Sequence, residues 1–259
     1  MPEERLSRVL TIAGSDSSAG AGIQVDLKVF ERLGVYGTTV LTAVTAQNTL
    51  GVQKTCKLPP RIVGAQIDSV IRDIGADACK IGMLYTSAVV DIVARRIARH
   101  RIPNVVLDPV VAAKDGTLLL TTKGIQRMKR FLIPKAMVIT PNVNEAEILA
   151  GIPVRSLEDL KEAAVAIKAL GCRYVLATGG HLEGDPVDIL YDGTQFVELP
   201  GTRIEGPPVH GTGCAFSAAL AARLAVGDSV IDAAKFAKNL VAELIRSAVK
   251  LGKGNLLIK

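Results

Sequence analysis

Tryptophan is absent from the 259 residues, and five Phe and four Tyr are the whole aromatic complement. Val, Ile, Leu and Ala must therefore fill the core; the 49% hydrophobic content provides for that and excludes intrinsic disorder. Cysteine is sparse: Cys56, Cys79, Cys172 and Cys214 lie far apart with no C-x-x-C pair, which excludes a zinc ribbon and argues against a disulfide framework. Of the three histidines, His100, His181 and His210, none sits in H-E-x-x-H spacing, and no G-x-S-x-G occurs, so a zinc protease and an ordinary α/β hydrolase drop out. The P-loop pattern is missing too, and Gly20-Ala-Gly22 lacks the third glycine of a dinucleotide fingerprint, which disfavours a nicotinamide oxidoreductase.

Long apolar runs are missing as well. The small-residue stretch Gly213 to Val226 is broken by Arg223 and is shorter than the roughly twenty residues of a membrane span. The first residues, Met1-Pro-Glu-Glu-Arg-Leu-Ser-Arg8, carry both signs of charge and do not read as a signal peptide. The expectation is a soluble cytoplasmic protein without a membrane partner. Lys plus Arg exceed Asp plus Glu by 31 to 25, a net +6 that fits an anionic ligand and equally an ordinary surface. Arg95, Arg96, Arg99 and Arg101 read as a solvated helix end and not as a nucleic-acid patch.

Along the chain, short β-branched runs alternate with segments of helical period. Strands are expected at Val9–Ala13, Val40–Val44, Val52–Leu58, Ala78–Ile81, Val105–Leu107, Ala136–Ile139 and Tyr174–Ala177. Helices are expected near 21–33, 61–74, 87–100, 122–131, 145–150, 156–171, 212–226 and 229–250. Val187–Tyr191 and Gln195–Leu199 flank Asp192-Gly193, a hairpin signal. Such alternation implies an α/β fold, a central mostly parallel sheet with helices on both faces and a small hairpin near 187–199. No linker or repeat interrupts it, so one domain over 1–259 is the economical reading.

In such a sheet, ligands gather beyond the carboxyl ends of the strands. His210-Gly-Thr-Gly-Cys214 opens a small-residue helix there, and Gly211 and Gly213 let the backbone approach an anion at the helix start. A thiol at that position is expected to have a lowered pKa and to serve as base or nucleophile; a core-packed cysteine after a turn explains the segment equally well. Asp108, and Asn142-x-x-Glu145, follow other strands and offer oxygen ligands for Mg²⁺, although Asn142 also reads as a helix cap and Glu145 as its dipole partner. Asp26 and Gln47 are polar groups beside apolar runs, either functional or facing solvent.

Ile12-Ala-Gly-Ser-Asp-Ser-Ser-Ala-Gly-Ala-Gly-Ile-Gln-Val-Asp26, Thr45-Ala-Gln-Asn-Thr49, Lys80-Ile-Gly-Met-Leu84, Leu107-Asp-Pro-Val110, Thr140-Pro-Asn-Val-Asn-Glu145 and His210-Gly-Thr-Gly-Cys214 occur in this order. Together they resemble the hydroxymethylpyrimidine and phosphomethylpyrimidine kinases of thiamine biosynthesis, in the ribokinase-like superfamily, from about Val9 to Val226. The resemblance implies a homodimeric kinase using ATP and Mg²⁺. It would phosphorylate 4-amino-5-hydroxymethyl-2-methylpyrimidine, then its monophosphate to the diphosphate. By motif, Gly14, Asp26, Gln47 and Met83 line the pyrimidine pocket; Gln47, with a donor and an acceptor on one amide, reads the aminopyrimidine edge. Cys214 takes the hydroxyl proton, amides of Gly211 to Cys214 stabilise the transferring phosphoryl group, and Asp108 and Glu145 hold Mg²⁺. Thr178, Gly180 and Thr212 contact the nucleotide.

Three departures stand out. Thr178 precedes Gly179-Gly180-His181 where the family usually has lysine, so a cation for the phosphates is lost. The family's Lys-Ser-Gly reads Lys114-Asp115-Gly116, and Pro207-Pro208-Val209 replaces polar residues before His210. These changes bear on nucleotide affinity and on the second phosphorylation. The rival expectations are a pyridoxal or pyridoxine kinase of the same superfamily, against which Gln47 argues, and a non-catalytic pyrimidine-binding regulator, supported by Thr178 alone.

Overall fold

A computed structural model describes residues 5–112 and 118–259. The Lys114-Asp115-Gly116 departure lies outside the described residues. The parallel strands are β1 (Arg8–Asp16), β2 (Tyr36–Asn48), β4 (Ala78–Ile81), β5 (Val105–Leu107), β6 (Val138–Ile139) and β7 (Tyr174–Ala177). β3 (Gly51–Lys57) and the hairpin β8 (Val187–Tyr191) and β9 (Phe196–Pro200) add antiparallel edges, in the order β3-β2-β1-β4-β5-β6-β7-β8-β9.

Alternation along the strands decides what each face carries. Leu10 and Ile12 of β1 join the core under α2 (Pro60–Asp73), α3 (Ser87–His100), α5 (Val143–Ala150) and α6 (Leu157–Lys168). Val9 joins the opposite core with α1 (Gly22–Arg32), α7 (Thr212–Ala225) and α8 (Val230–Arg246). α4 (Thr122–Arg127) runs into a π-helical turn and a 3₁₀ turn, which shortens the helix expected to Phe131. β2 is far longer than Val40–Val44, because β1 pairs along most of its length and β3 along its end.

α7 can lie against the sheet because it is lined with alanine: Ala215, Ala218, Ala219, Ala221 and Ala222 are all buried, so the helix sits close over β4, β1 and β5. An element absent from the sequence reading closes the fold. The last residues return as β11 (Leu256–Leu257), parallel to β10 (Val209–His210) immediately before α7, with Asn255 N–H on the Thr49 carbonyl beyond β2. No helix among the described residues is long and apolar enough to cross a membrane.

Candidate active site

The β1–α1 loop and the start of α7 meet. Gly211 has φ +85° and is packed so tightly on the Gly20 carbonyl that a Cβ there would collide with it, so only glycine satisfies both the left-handed backbone and the close approach. α7 begins there with no side-chain cap, which leaves its first-turn N–H groups to an outside acceptor. Thr212 and Cys214 are half-buried and Gly213 exposed. Gly14 lies against the Met83 side chain, which places both beside the same loop.

Cys214 sits one helical turn in, its sulfur accepting from the Gly22 N–H. The expectation of a lowered thiol pKa is corrected here: burial pushes it up to about 11 against the pull of the Lys80 charge, with the Asp108 and Asp26 charges adding to the rise. The thiol is neutral at pH 7.

Asp26 is a second correction. It lines no pocket: it is 0% exposed, and both its oxygens lie 2.9 and 3.0 Å from Lys80 Nζ, with Thr11 Oγ1 donating at 2.6 Å. Lys80 is likewise fully buried, paired in register with Thr11 on the face that α1 and α7 cover. Burial opposes its charge, but Asp26, Cys214 and Asp108 hold the ammonium well above the ordinary lysine range. Burial also lifts Asp26 against the pull of Lys80; with three hydrogen bonds on that carboxylate, we read the pair as charged. The sequence carried a signal for it, since one lysine in the apolar strand Ala78–Ile81 and one aspartate on the apolar stripe of α1 each need a buried partner.

The first-loop end is polar and dense. Asp16, 3% exposed, accepts from Ser18 N–H at 2.8 Å, Ser18 Oγ at 2.7 Å and Gly20 N–H at 3.2 Å, with His210 Nε2 at 3.2 Å. Burial would raise this carboxyl, but those bonds outweigh it and hold it below the usual range. Gln47 is half-buried at a register shift of β2, its backbone bonded to Ser17 Oγ and its amide 2.9 Å from His210 Nε2. Asp16 and the His210 side chain had no role in the sequence reading, because their meeting depends on β2, β1 and α7 converging.

Farther along the strand ends, Asp108 accepts from Ser217 Oγ of α7 at 3.0 Å. Glu145 closes the capping box with Asn142, each bonding the other's N–H at 3.0 Å, and its second oxygen accepts from Val111 N–H at 3.3 Å. The capping reading of Asn142-x-x-Glu145 thus describes real bonds, and each carboxylate oxygen keeps a lone pair. Burial and the Asp108 charge push Glu145 up to about 8. One residue past β6, the buried Thr140 hydroxyl has no hydrogen-bond partner, while its N–H bonds the carbonyl of Leu107, which precedes Asp108. Asp108 and Glu145, whose charges repel, offer carboxylate oxygens of the kind that suits Mg²⁺. No cluster of three or more metal-binding side chains occurs among the described residues, so such an ion would rely on water and phosphate for most of its shell.

Thr178 N–H bonds the Pro141 carbonyl, which ties the β7 end to the Asn142 cap. Gly179 N–H bonds Asp188, itself paired with Lys238 of α8 at 2.8 Å, and the exposed Gly180 offers its carbonyl to Arg203 at 3.3 Å. The segments from Gly14 to Thr178 therefore form one row across the carboxyl ends. A cavity of about 400 Å³ lies at the opposite ends of the strands, among Arg5, Asp77, Asn104 and Leu224, away from every one of these groups.

This architecture is shared with solved small-molecule kinases. The chain aligns with an ADP complex of Bacillus subtilis pyridoxal kinase at TM-score 0.92, 38% identity and 98% and 97% coverage of the two chains. It aligns with phosphomethylpyrimidine kinase from Clostridium difficile 630 at TM-score 0.83, 38% identity and 92% and 99% coverage. The fold and the strand-end row thus define a kinase of the ribokinase-like class. A phosphomethylpyrimidine kinase family model matches residues 16–259, and the hydroxymethylpyrimidine/phosphomethylpyrimidine kinase of Bacillus subtilis is 43% identical over 250 residues, 96% of this chain and 92% of the relative. The corresponding kinase of Streptomyces coelicolor is 46% identical over 246 residues, 95% and 91% of the two chains. The chain belongs to the phosphomethylpyrimidine kinase family.

Proposed function

We propose that this chain, as one domain, transfers the γ-phosphoryl group of ATP to the hydroxymethyl oxygen of 4-amino-5-hydroxymethyl-2-methylpyrimidine and then phosphorylates the product to the diphosphate, in thiamine biosynthesis. The observation that carries the reading is the packing of Gly211 on Gly20, which sets an uncapped helix start against the loop expected to hold the ring. Phosphoryl transfer is mostly positioning and charge stabilisation, and this juxtaposition supplies both.

In this reading the ring binds between Gly14, Met83 and Gln47, and Gln47 pairs with the aminopyrimidine edge. The N–H groups of Gly211, Thr212, Gly213 and Cys214 face the transferring group. Cys214 takes the hydroxyl proton as the O–P bond forms, and it does so only as the thiolate; burial, which pushes the free thiol up to about 11, makes that form scarce at neutral pH and strongly basic once the S–H proton has left to solvent. Asp108 and Glu145 hold Mg²⁺, which when bound offsets the charge of the phosphates. Lys80 lies beneath as a fixed positive charge, and Asp26 keeps it in place. Thr178, Gly180 and Thr212 hydrogen-bond the nucleotide without the family's usual lysine. The same reading makes the enzyme a cytoplasmic homodimer that engages neither membrane nor nucleic acid.

A second reading, pyridoxal kinase activity at the same site, is favoured by the close fit to pyridoxal kinase structures, including the Staphylococcus aureus enzyme with pyridoxal at TM-score 0.90. ADP release measured with hydroxymethylpyrimidine, its monophosphate and pyridoxal separates the two. Turnover of both pyrimidines supports the first reading; turnover of pyridoxal alone replaces it with the second.

A further inference from the structure

The hydrogen bonds around Gln47 conflict in a way that says how the ring is read. His210 Nε2 lies 3.2 Å from Asp16 Oδ2 and 2.9 Å from the Gln47 amide nitrogen. A ring nitrogen either donates or accepts. Donating to the carboxylate sets two N–H groups face to face at Gln47; accepting from Gln47 turns a lone pair on the carboxylate. The far end of the amide has its own conflict, because Thr45 Oγ1 has one hydrogen for two acceptors, Ser15 O at 2.9 Å and Gln47 Oε1 at 3.2 Å.

Exchanging the isosteric oxygen and nitrogen of the amide removes the like-to-like contact at His210 and lets Gln47 supply the hydrogen toward Thr45 Oγ1; the one hydrogen still shared is that of His210 Nε2, between two acceptors. His210 Nε2–H then donates to Asp16 and to Gln47 Oε1. The Gln47 amino group donates to Thr45 Oγ1, whose hydrogen goes to Ser15. Asp16, already bonded by Ser18 and Gly20, fixes the imidazole as a donor at Nε2.

We propose that Asp16, His210 and Thr45 lock the Gln47 amide with its oxygen toward the α7 end and its nitrogen toward the β1 end, and that this orientation selects the ring and aims it. The idea rests on the placement of the pyrimidine at Gln47 proposed above. The locked amide has one lone pair and one N–H left. A 4-aminopyrimidine meets them with its amino hydrogen and ring N3. The ring order N3, C4, C5 then directs the C5 hydroxymethyl group to the His210 end, where the chain continues into Gly211–Cys214. The opposite amide orientation would point that group away from α7. Asp16 and His210 are positioning residues, acting through Gln47.

The test uses the 4-oxo analogue of the substrate, whose N3–H and carbonyl oxygen present the reversed edge. Calorimetry on the wild-type enzyme should show the amino compound preferred by about a hundredfold. His210→Gln, which keeps a donor, should retain that preference, whereas His210→Leu and Thr45→Val should cut it by about tenfold or more by freeing the amide. An unchanged preference in both freeing variants overturns the proposal. Independently of any variant, long-range ¹H–¹⁵N correlation spectra of the wild type should show Nε2 protonated; a bare Nε2 overturns the lock. Protonated Nε2 in an enzyme that binds neither pyrimidine removes the ring site itself, and the function proposed above with it.

Discussion

The two ends of the strand-end row differ in how well their polar groups are satisfied. At the first-loop end, Asp16, Gln47 and His210 bond one another and the surrounding backbone, with no unpartnered buried atom among them. At the other end, Asp108 and Glu145 repel each other, Glu145 is pushed up to about 8, and Thr140 keeps an unpaired hydroxyl. The contrast separates two kinds of preorganisation. A recognition surface works by being rigid before its ligand arrives, whereas a phosphate-handling surface concentrates charge that only a cation can neutralise.

The strongest challenge to that contrast is at the joint between the ends. Cys214→Ser should lower turnover by about 10²- to 10⁴-fold while pyrimidine affinity stays within about threefold, as single-turnover kinetics and calorimetry would show. Near-normal turnover would remove Cys214 from the chemistry.

Lys80 and Asp26 underlie both ends. Lys80→Met leaves the Asp26 carboxylate buried without its cation and should cost about 3–5 kcal/mol in urea unfolding, most of it recovered in Lys80→Met/Asp26→Leu. A double variant no more stable than the single one would show that the pair is not an isolated unit.

The carboxylate end should also reveal itself through pH. Glu145 titrates near about 8 in the folded chain and near about 4.3 when unfolded, so the folded state holds the extra proton between those values. Its contribution to stability is therefore full below the unfolded value and is lost as pH rises toward 8. Denaturation from pH 5 to 8 should show a falling component that Glu145→Gln abolishes and Mg²⁺ flattens; equal slopes in both proteins would refute the coupling of the two carboxylates.

At the recognition end, Gln47→Met should raise KM for the pyrimidine about tenfold with KM for ATP nearly unchanged, measured by coupled ADP release. Equal effects on both substrates would move the ring elsewhere. The smallest effect is expected for Thr178→Lys, which adds a cation where the family usually has one and should lower KM for ATP about two- to fivefold, less at high salt.

Much of the fold was legible from local pattern. β4, α3, β5, β7 and β8 lie where runs of apolar residues and helical spacing place them, because burial on one face or two imprints itself on neighbouring residues. The return of Leu256–Leu257 onto β10 was not legible, since a two-residue strand has no period to detect. The site followed the same division. Positions after strands place Gly211, Asp108 and Glu145 at the same edge of the sheet, as the structure has them, but Asp26 was assigned to a pocket and is instead buried against Lys80, 54 residues away. The pKa of Cys214 was misjudged because helix position is local and burial is not.

The amino-acid sequence alone determined the alternation of strands and helices, the glycine-opened start of α7 and the kinase family, since each depends on residue types at short spacing. Only the tertiary structure decided which polar and charged groups meet: Lys80 with Asp26, His210 with Asp16 and Gln47, Asp108 beside Glu145. Electrostatic energies depend on distance and on exclusion of water, and both are properties of the packed chain.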